Sequence, residues 1–160
     1  MKKNLGKIIT CAGVVLALVA FLMMFAPAIS YKSEHVDAIT GAQVAFGKKD
    51  TLAASAYMLA YLLLIVGIVP AVLAILGKGG KIVSIVAAVC FVAAAIFFFL
   101  PMVMVMPNVG KLEGAAKDKA VESFRNILKE TADVGIGAIV GGILSILAAA
   151  AVAVPLFLKK

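Results

Sequence analysis

Few side chains in this sequence have the chemistry that an enzyme or a metal site needs. The single histidine, His35, lies beside Glu34 and Asp37, and these three form the one cluster with a metal-like spacing. One histidine without cysteine ligands makes a weak zinc site, and a Ser–His relay would depend on this residue alone. We therefore predict no metal, no cofactor and no enzymatic activity, and we interpret the cluster as part of a solvated loop.

Two tyrosines are the other candidate site residues. Tyr57 and Tyr61 are four residues apart, so a helix places both phenols on one face. Two interpretations stay open. The pair lines a pocket that opens to the outside, or it packs between helices with each hydroxyl bonded to a backbone carbonyl or to a neighbour such as Ser55. Because no ionisable residue accompanies them, packing is the favoured interpretation.

The composition places the chain in a membrane. It is 64% apolar with a mean hydropathy of +1.16, whereas soluble domains are about 45–50% apolar. The apolar residues form four runs of 22–25 residues without a charged side chain, long enough as helices to cross a hydrocarbon layer of about 30 Å. The predicted spans are Ile8–Ile29, Leu52–Leu76, Ile82–Met106 and Val134–Leu158. We expect one all-α integral membrane domain over residues 1–160.

The charges predict an orientation. Seven lysines flank the spans at the two termini and in the short link Gly77–Lys81, with no acidic residue among them. The two longer loops, residues 30–50 and 108–133, hold eight basic and eight acidic residues, which cancel. The net charge of +7 therefore lies on one side, which the positive-inside rule assigns to the cytoplasm. We predict a multi-pass plasma-membrane protein, of a bacterial type, with both termini cytoplasmic and both loops outside.

The chain also has an internal similarity. Lys7–Pro27 and Lys81–Pro101 both begin Gly-Lys-Ile, carry a Thr or Ser three residues after the lysine, and reach Phe-x-Pro at the same distance. We interpret residues 1–77 and 78–160 as two tandem hairpin repeats. Two halves with the same membrane direction are expected to be related by an axis along the membrane normal.

The two outer loops have different patterns. In the first, Thr40-Gly41 predicts a turn that pairs residues 36–39 with residues 43–46 as a β-hairpin. In the second, apolar residues recur at helical spacing and charged residues cover the remainder, which predicts an extracellular amphipathic helix. Three placements stay open for this helix: on the lipid headgroups, against its own protein, which is the commonest case, or on a partner. Its apolar face, a candidate partner face, includes Leu112, Phe124 and Leu128.

The fourth span carries a row of small residues. Gly137 and Gly141 form a GxxxG pair, and Gly142, Ser145 and Ala149 continue the row at similar spacing. Such residues let helix backbones approach closely in lipid. We expect this row to form the closest helix–helix contact, either with a second copy or within the chain.

The layout resembles that of tetraspan proteins in general, with four spans and two outer loops. The Trp and paired loop cysteines of claudins and the Cys-Cys-Gly of tetraspanins are absent, so no family residues carry over. We expect a non-enzymatic membrane protein that self-associates or joins a membrane complex; the alternative is a small channel or transporter subunit whose pore or pocket forms from several copies. The expected partners are the lipid bilayer and a second copy or another membrane protein. Nucleic-acid binding is not expected, since Arg125 is the only arginine.

Overall fold

A computed structural model of the chain describes residues 2–33, 37–47, 51–107 and 114–158. It contains four long helices, each long and apolar enough to cross a membrane. They are α1 (Lys2–Leu22), α3 (Ser55–Ile75), α4 (Gly80–Phe98) and α7 (Ile136–Leu158). The structure is mostly helical, and its four long helices are compatible with a multi-pass membrane protein. The predicted all-α class is confirmed only in part, because short strands join the helices.

The four long helices bury small residues and expose large ones. The buried face is rich in alanine, including Ala17, Ala60, Ala87, Ala94 and Ala148. The outward face carries aliphatic side chains that are 42–73% exposed, including Val15, Leu62, Val69, Ile82, Val89 and Ile143. Soluble proteins rarely expose continuous apolar surface on this scale. Small residues inside and large ones outside are the arrangement that helix packing in lipid favours.

The long helices form a ring in which each contacts two neighbours. The order is α1, α3, α4, α7 and back to α1, and the α1–α3 contact is the smallest of the four. The centre of the bundle is filled by side chains such as Leu64, Phe91 and Phe98, each with no exposed surface. Within the described residues, the ring is therefore a packed bundle.

One end of the bundle carries a folded layer, which we name the cap: the described residues between 23 and 54 and between 99 and 135. Its central strand β1 (Pro27–Tyr31) pairs antiparallel with β2 (Ile39–Thr40) on one side and with β5 (Ala132–Val134) on the other. A second pair joins β3 (Thr51–Leu52) to β4 (Met106–Pro107). The strands therefore tie the connection after α1 to the connection before α7.

Three shorter helices complete the cap. They are α2 (Gly41–Phe46), α5 (Pro101–Met104) and α6 (Ala115–Thr131). The last lies within the predicted amphipathic segment and packs against α5, β4 and β5. Lys32 joins its end to the sheet, because the Lys32 amide donates to the Thr131 carbonyl at 2.8 Å.

At the opposite end of the bundle, the described chain has one connection, the short link between α3 and α4, beside the start of α1 and the end of α7. Gly77, Gly79 and Gly80 have φ angles of +77°, +82° and +62°. Residues with a side chain rarely adopt this left-handed backbone conformation, so the link needs glycine to reverse the chain within a few residues. The exposed Lys78 and Lys81 lie here.

The predicted spans are too long at the cap end. The first was predicted to reach Ile29, but α1 ends at Leu22, a 3₁₀ turn covers Met23–Phe25, and β1 begins at Pro27. The third was predicted to reach Met106, but α4 ends at Phe98 and Pro101 begins α5. Proline lacks the amide hydrogen that continues a helix and disfavours helical geometry in the residue before it. The apolar composition continues past the helix ends in part because Ala28, Ile29, Pro101 and Val105 are buried in the cap.

The predicted β-hairpin in the first loop is wrong. Residues 39–40 form a strand, but it pairs with β1, and Gly41–Phe46 is a helix. Thr40 begins that helix with a capping box, in which its hydroxyl accepts from the Gln43 amide and the Gln43 side chain accepts from the Thr40 amide. The Thr-x-x-Gln spacing is the sequence signature of a capping box. It predicts that a helix begins at Thr40, whereas the β-hairpin prediction places a turn there.

Candidate functional site

The two tyrosines lie inside the cap end of the bundle. Tyr57 is fully buried and Tyr61 is 4% exposed, because the first turns of α3 present both to the interior of the ring. The pair therefore does not line a pocket open to solvent in this structure. Of the two interpretations, packing between helices describes their position.

The tyrosine rings belong to an aromatic cluster that joins three helices. Phe21 of α1 meets Tyr61 at 6.1 Å between ring centroids, and Phe98 of α4 meets Tyr61 at 5.2 Å and Tyr57 at 6.2 Å. All the ring planes are close to perpendicular, at 81–88°. Edge-to-face pairs of this kind contribute about 0.5–1.5 kcal/mol beyond their buried area. The cluster therefore stabilises the cap end of the bundle, where Phe21 of α1 contacts Tyr61 of α3.

The hydroxyl groups of this cluster do not have the partners that packing predicts. The two phenol oxygens are close enough for a hydrogen bond between them, but the angles are poor, and neither hydroxyl makes a well-formed hydrogen bond to any described residue. The expected bond to a backbone carbonyl or to a neighbour such as Ser55 is not present. A buried polar group without a partner costs about 1–3 kcal/mol. These hydroxyls are thus a local exception to the satisfied interior around them.

The short helix α2 covers the cluster. Its first residue, Gly41, contacts the Tyr61 hydroxyl directly, so that a side chain at position 41 would collide with that oxygen. Val44 and Ala45 are buried beneath the helix at 0% and 1% exposure. Backbone bonds fix it at both ends, from the Gly41 amide to the Ala26 carbonyl at 3.2 Å and from the Ala54 amide to the Val44 carbonyl at 2.9 Å. The cluster is therefore closed on the cap side by a firmly attached element.

An open groove lies on the surface of the cap. It has a volume of about 580 Å³ and is lined by Tyr31 at the end of β1, by Lys32 and Ser33 after it, and by Glu130 and Thr131 at the end of α6. The Lys32 ammonium donates to the Glu130 carbonyl at 3.3 Å and lies 3.9 Å from an Asp133 carboxylate oxygen. Partial burial raises the pKa of Tyr31, so this phenol stays neutral at physiological pH. Exposed ion pairs contribute little, so Lys32 chiefly complements the carbonyl end of α6.

The small-residue row of the fourth span faces the chain's own elements. A Cβ added at Gly137 would lie 2.7 Å from the Ala26 side chain, one at Gly141 would lie 2.9 Å from the Phe98 ring, and one at Gly142 would lie 2.6 Å from the Phe99 ring. Ser145 and Ala149 are also buried, at 0% and 5% exposure. The row is thus occupied within the chain and presents no exposed strip to a second copy.

The predicted partner face of the outer helix is also occupied. Leu128 is 2% exposed, and Phe124 packs against the buried core. Leu112 lies outside the described residues. The apolar side chain that α6 does expose is Ile127, at 58%. The amphipathic pattern therefore identified the face that attaches the helix to its own protein.

The metal-like cluster cannot be assembled from the described chain. Glu34 and His35 lie outside the described residues, and Asp37 is exposed. No group of three His, Cys, Asp or Glu side chains with metal-binding proximity occurs among the residues that the structure describes. Cys11 is exposed on α1 and Cys90 is partly buried on α4, and both are free thiols.

Comparison with protein-family models, with curated proteins and with solved structures finds no match for this chain. The site is accordingly interpreted from its own geometry.

Proposed function

We propose that the chain is a non-enzymatic membrane protein in which four helices anchor a folded cap, and that the cap contacts a second copy of the chain or another membrane protein. The observation that carries this proposal is the position of α6. This helix of 17 residues is held on the cap by Leu128, while Ile127 beside it is 58% exposed. A large exposed apolar residue among charged neighbours can form the buried centre of a protein contact with a polar rim.

The mass of the purified protein in mild detergent tests self-association. We expect an oligomer, and we expect Ile127→Lys to lower its mass while helix content stays unchanged. Asn126→Lys is the matched control, because residue 126 is an exposed neighbour in the same helix. A monomeric wild-type protein, or an oligomer that Ile127→Lys leaves intact, would contradict self-association through α6.

We also propose that the cap lies outside the cell and that both termini lie in the cytoplasm of a bacterial cell. The lysine asymmetry supports this orientation. In a background without Cys11 and Cys90, an impermeant thiol reagent applied to intact cells should label Lys119→Cys in α6 and should not label Lys78→Cys in the α3–α4 link. The reverse labelling pattern would invert the proposed orientation.

The two halves are proposed to be hairpin repeats related by rotation about the membrane normal. The ring order supports this, since it brings α1 and α4 to opposite corners, as a two-fold axis requires. The smaller α1–α3 contact and the unlike connections in the cap weigh against a close repeat. If the two hairpins do not superpose in an experimental structure, the two halves are similar in composition only.

A small channel or transporter assembled from several copies is the second candidate. The observation that favours it is the buried pair of polar hydroxyls on Tyr57 and Tyr61. A path within one chain is disfavoured, because Leu64, Phe91 and Phe98 fill the centre of the bundle. Ion or solute flux into liposomes that contain the purified protein would support this candidate, and flux equal to that of empty liposomes would argue against it.

A further inference from the structure

Buried hydroxyls of the long helices differ in whether their own helix supplies a hydrogen-bond partner. Thr10 donates to the Gly6 carbonyl at 2.9 Å, and Ser145 donates to the Gly141 carbonyl at 2.7 Å. Both hydroxyls therefore have a hydrogen-bond acceptor within their own helix, as short hydroxyl side chains can. The phenols of Tyr57 and Tyr61 carry their oxygens too far from their own backbone for this. The two oxygens lie near each other, but neither has a well-formed hydrogen bond to a described residue.

The Tyr61 oxygen is directed toward the cap. It occupies the position at which a side chain of Gly41 would begin, and the Met24 carbonyl oxygen lies 3.2 Å from the same position. A polar phenol oxygen and a backbone carbonyl thus converge beneath α2, next to the Tyr57 phenol. Gly41 offers the Tyr61 oxygen only a Cα there, because its amide donates to the Ala26 carbonyl.

We propose that the hydroxyls of Tyr57 and Tyr61 form a binding site for internal water at the cap end of the bundle, with α2 as its cover. A buried water needs two to four polar partners. Each phenol can donate one hydrogen bond, so one water can accept from both tyrosines and donate to the Met24 carbonyl. This inference does not depend on the proposed role of α6.

Water-edited solid-state NMR on the full chain in lipid bilayers tests the proposal directly. The chain has 3 tyrosines and 9 phenylalanines, so labelling of these two residue types gives few signals. Single Tyr→Phe variants assign the tyrosines, and Phe91→Leu assigns the Phe91 signal. Tyr31 in the open groove is the hydrated reference, and the fully buried Phe91 is the dry one. We expect Tyr57 and Tyr61 to receive water magnetisation nearly as fast as Tyr31 and several-fold faster than Phe91. Transfer as slow as that of Phe91 would overturn the proposal.

Thermal unfolding of the variants gives a second readout. We expect Tyr57→Phe and Tyr61→Phe each to lower the midpoint by about 2–4 °C, because a satisfied buried hydrogen bond is lost. Tyr31→Phe should leave it unchanged. An unchanged or higher midpoint in both buried variants would mean that the hydroxyls are bound by nothing. A lower midpoint combined with slow water transfer would mean that they bond within the protein, and this outcome would also exclude the water site.

Discussion

Helix α7 contacts its two neighbours through unlike surfaces. Against α1, small residues meet small residues: a Cβ added at Gly13 would lie 3.0 Å from the Ala151 side chain and 3.1 Å from the Ala148 carbonyl oxygen. Against α4, glycine meets aromatic rings, with Gly141 below Phe98 and Gly142 below Phe99. Glycine therefore has two functions in this bundle. It lets two backbones approach at the α1–α7 contact, and it makes room for a large side chain at the α4–α7 contact.

A GxxxG pair does not by itself identify an oligomer interface. Gly137 and Gly141 have the spacing of a helix-dimer motif, yet the first contacts the chain that leads into β1 and the second contacts Phe98. The glycine at which an added Cβ would meet the backbone of another long helix is Gly13, 3.1 Å from the Ala148 carbonyl oxygen. The two contacts should respond differently to added side chains, because a ring can rotate or be truncated and a backbone carbonyl cannot.

The largest effect is expected at the α1–α7 contact. Gly13→Leu places a side chain against the Ala148 carbonyl, so the helices must separate, at a cost of about 3 kcal/mol or more. Unfolding in mild detergent measures the loss. Ala12→Leu is the matched control, because residue 12 is exposed and its leucine would face lipid. Equal stability of the two variants would mean that α1 and α7 are not in close contact.

Gly141→Leu is expected to have a smaller effect, about 1–3 kcal/mol, without a change in oligomer mass. The obstacle here is the Phe98 ring, so Phe98→Ala should relieve part of the crowding, and the double variant should be less destabilised than the sum by about 0.5–3 kcal/mol. Ala150→Leu, at an exposed position of α7, is the control. A fall in oligomer mass would instead mean that the row faces a second copy.

A third glycine contact extends the comparison, since Gly41 faces an oxygen. Its φ angle is not in the left-handed region, so alanine is disfavoured by contacts: chiefly by the Tyr61 hydroxyl, and less by the Met24 carbonyl oxygen, 3.2 Å from the added carbon. We expect Gly41→Ala to cost about 1–2 kcal/mol and to cost less in a Tyr61→Phe background. If alanine is equally harmful in both backgrounds, α2 does not rest on that hydroxyl.

The sequence predicted the parts of this fold that depend on composition, and missed those that depend on pairing. Hydropathy located all four long helices, and helical spacing located α6. Long apolar runs did not reveal that Pro27 begins a strand, because β1 is defined by partners far away at β5. Tyr57 and Tyr61 were found from their spacing, but Phe21 and Phe98 come from other helices, and no local signal joins them to the pair. The spacing of Thr40 and Gln43 is enough to predict the capping box, but Thr40-Gly41 also fits a turn, and the turn was the wrong choice.

The smallest effect is expected from the hydroxyls on α7 and α1. Ser145 is fully buried, and in lipid such a group can hold two helices together by a bond between them. Its hydroxyl, however, donates to the Gly141 carbonyl of its own helix at 2.7 Å. Alanine therefore removes the donor and leaves a carbonyl that retains its helical hydrogen bond, so Ser145→Ala should change stability by about 0–1 kcal/mol. Thr10→Val on α1 should behave in the same way, because Thr10 also bonds within its helix. A loss of about 2 kcal/mol or more for Ser145→Ala alone would indicate a hydrogen bond to a neighbouring helix. The α4–α7 contact would then depend on polar groups as well as on the packing of Phe98 and Phe99 against glycines.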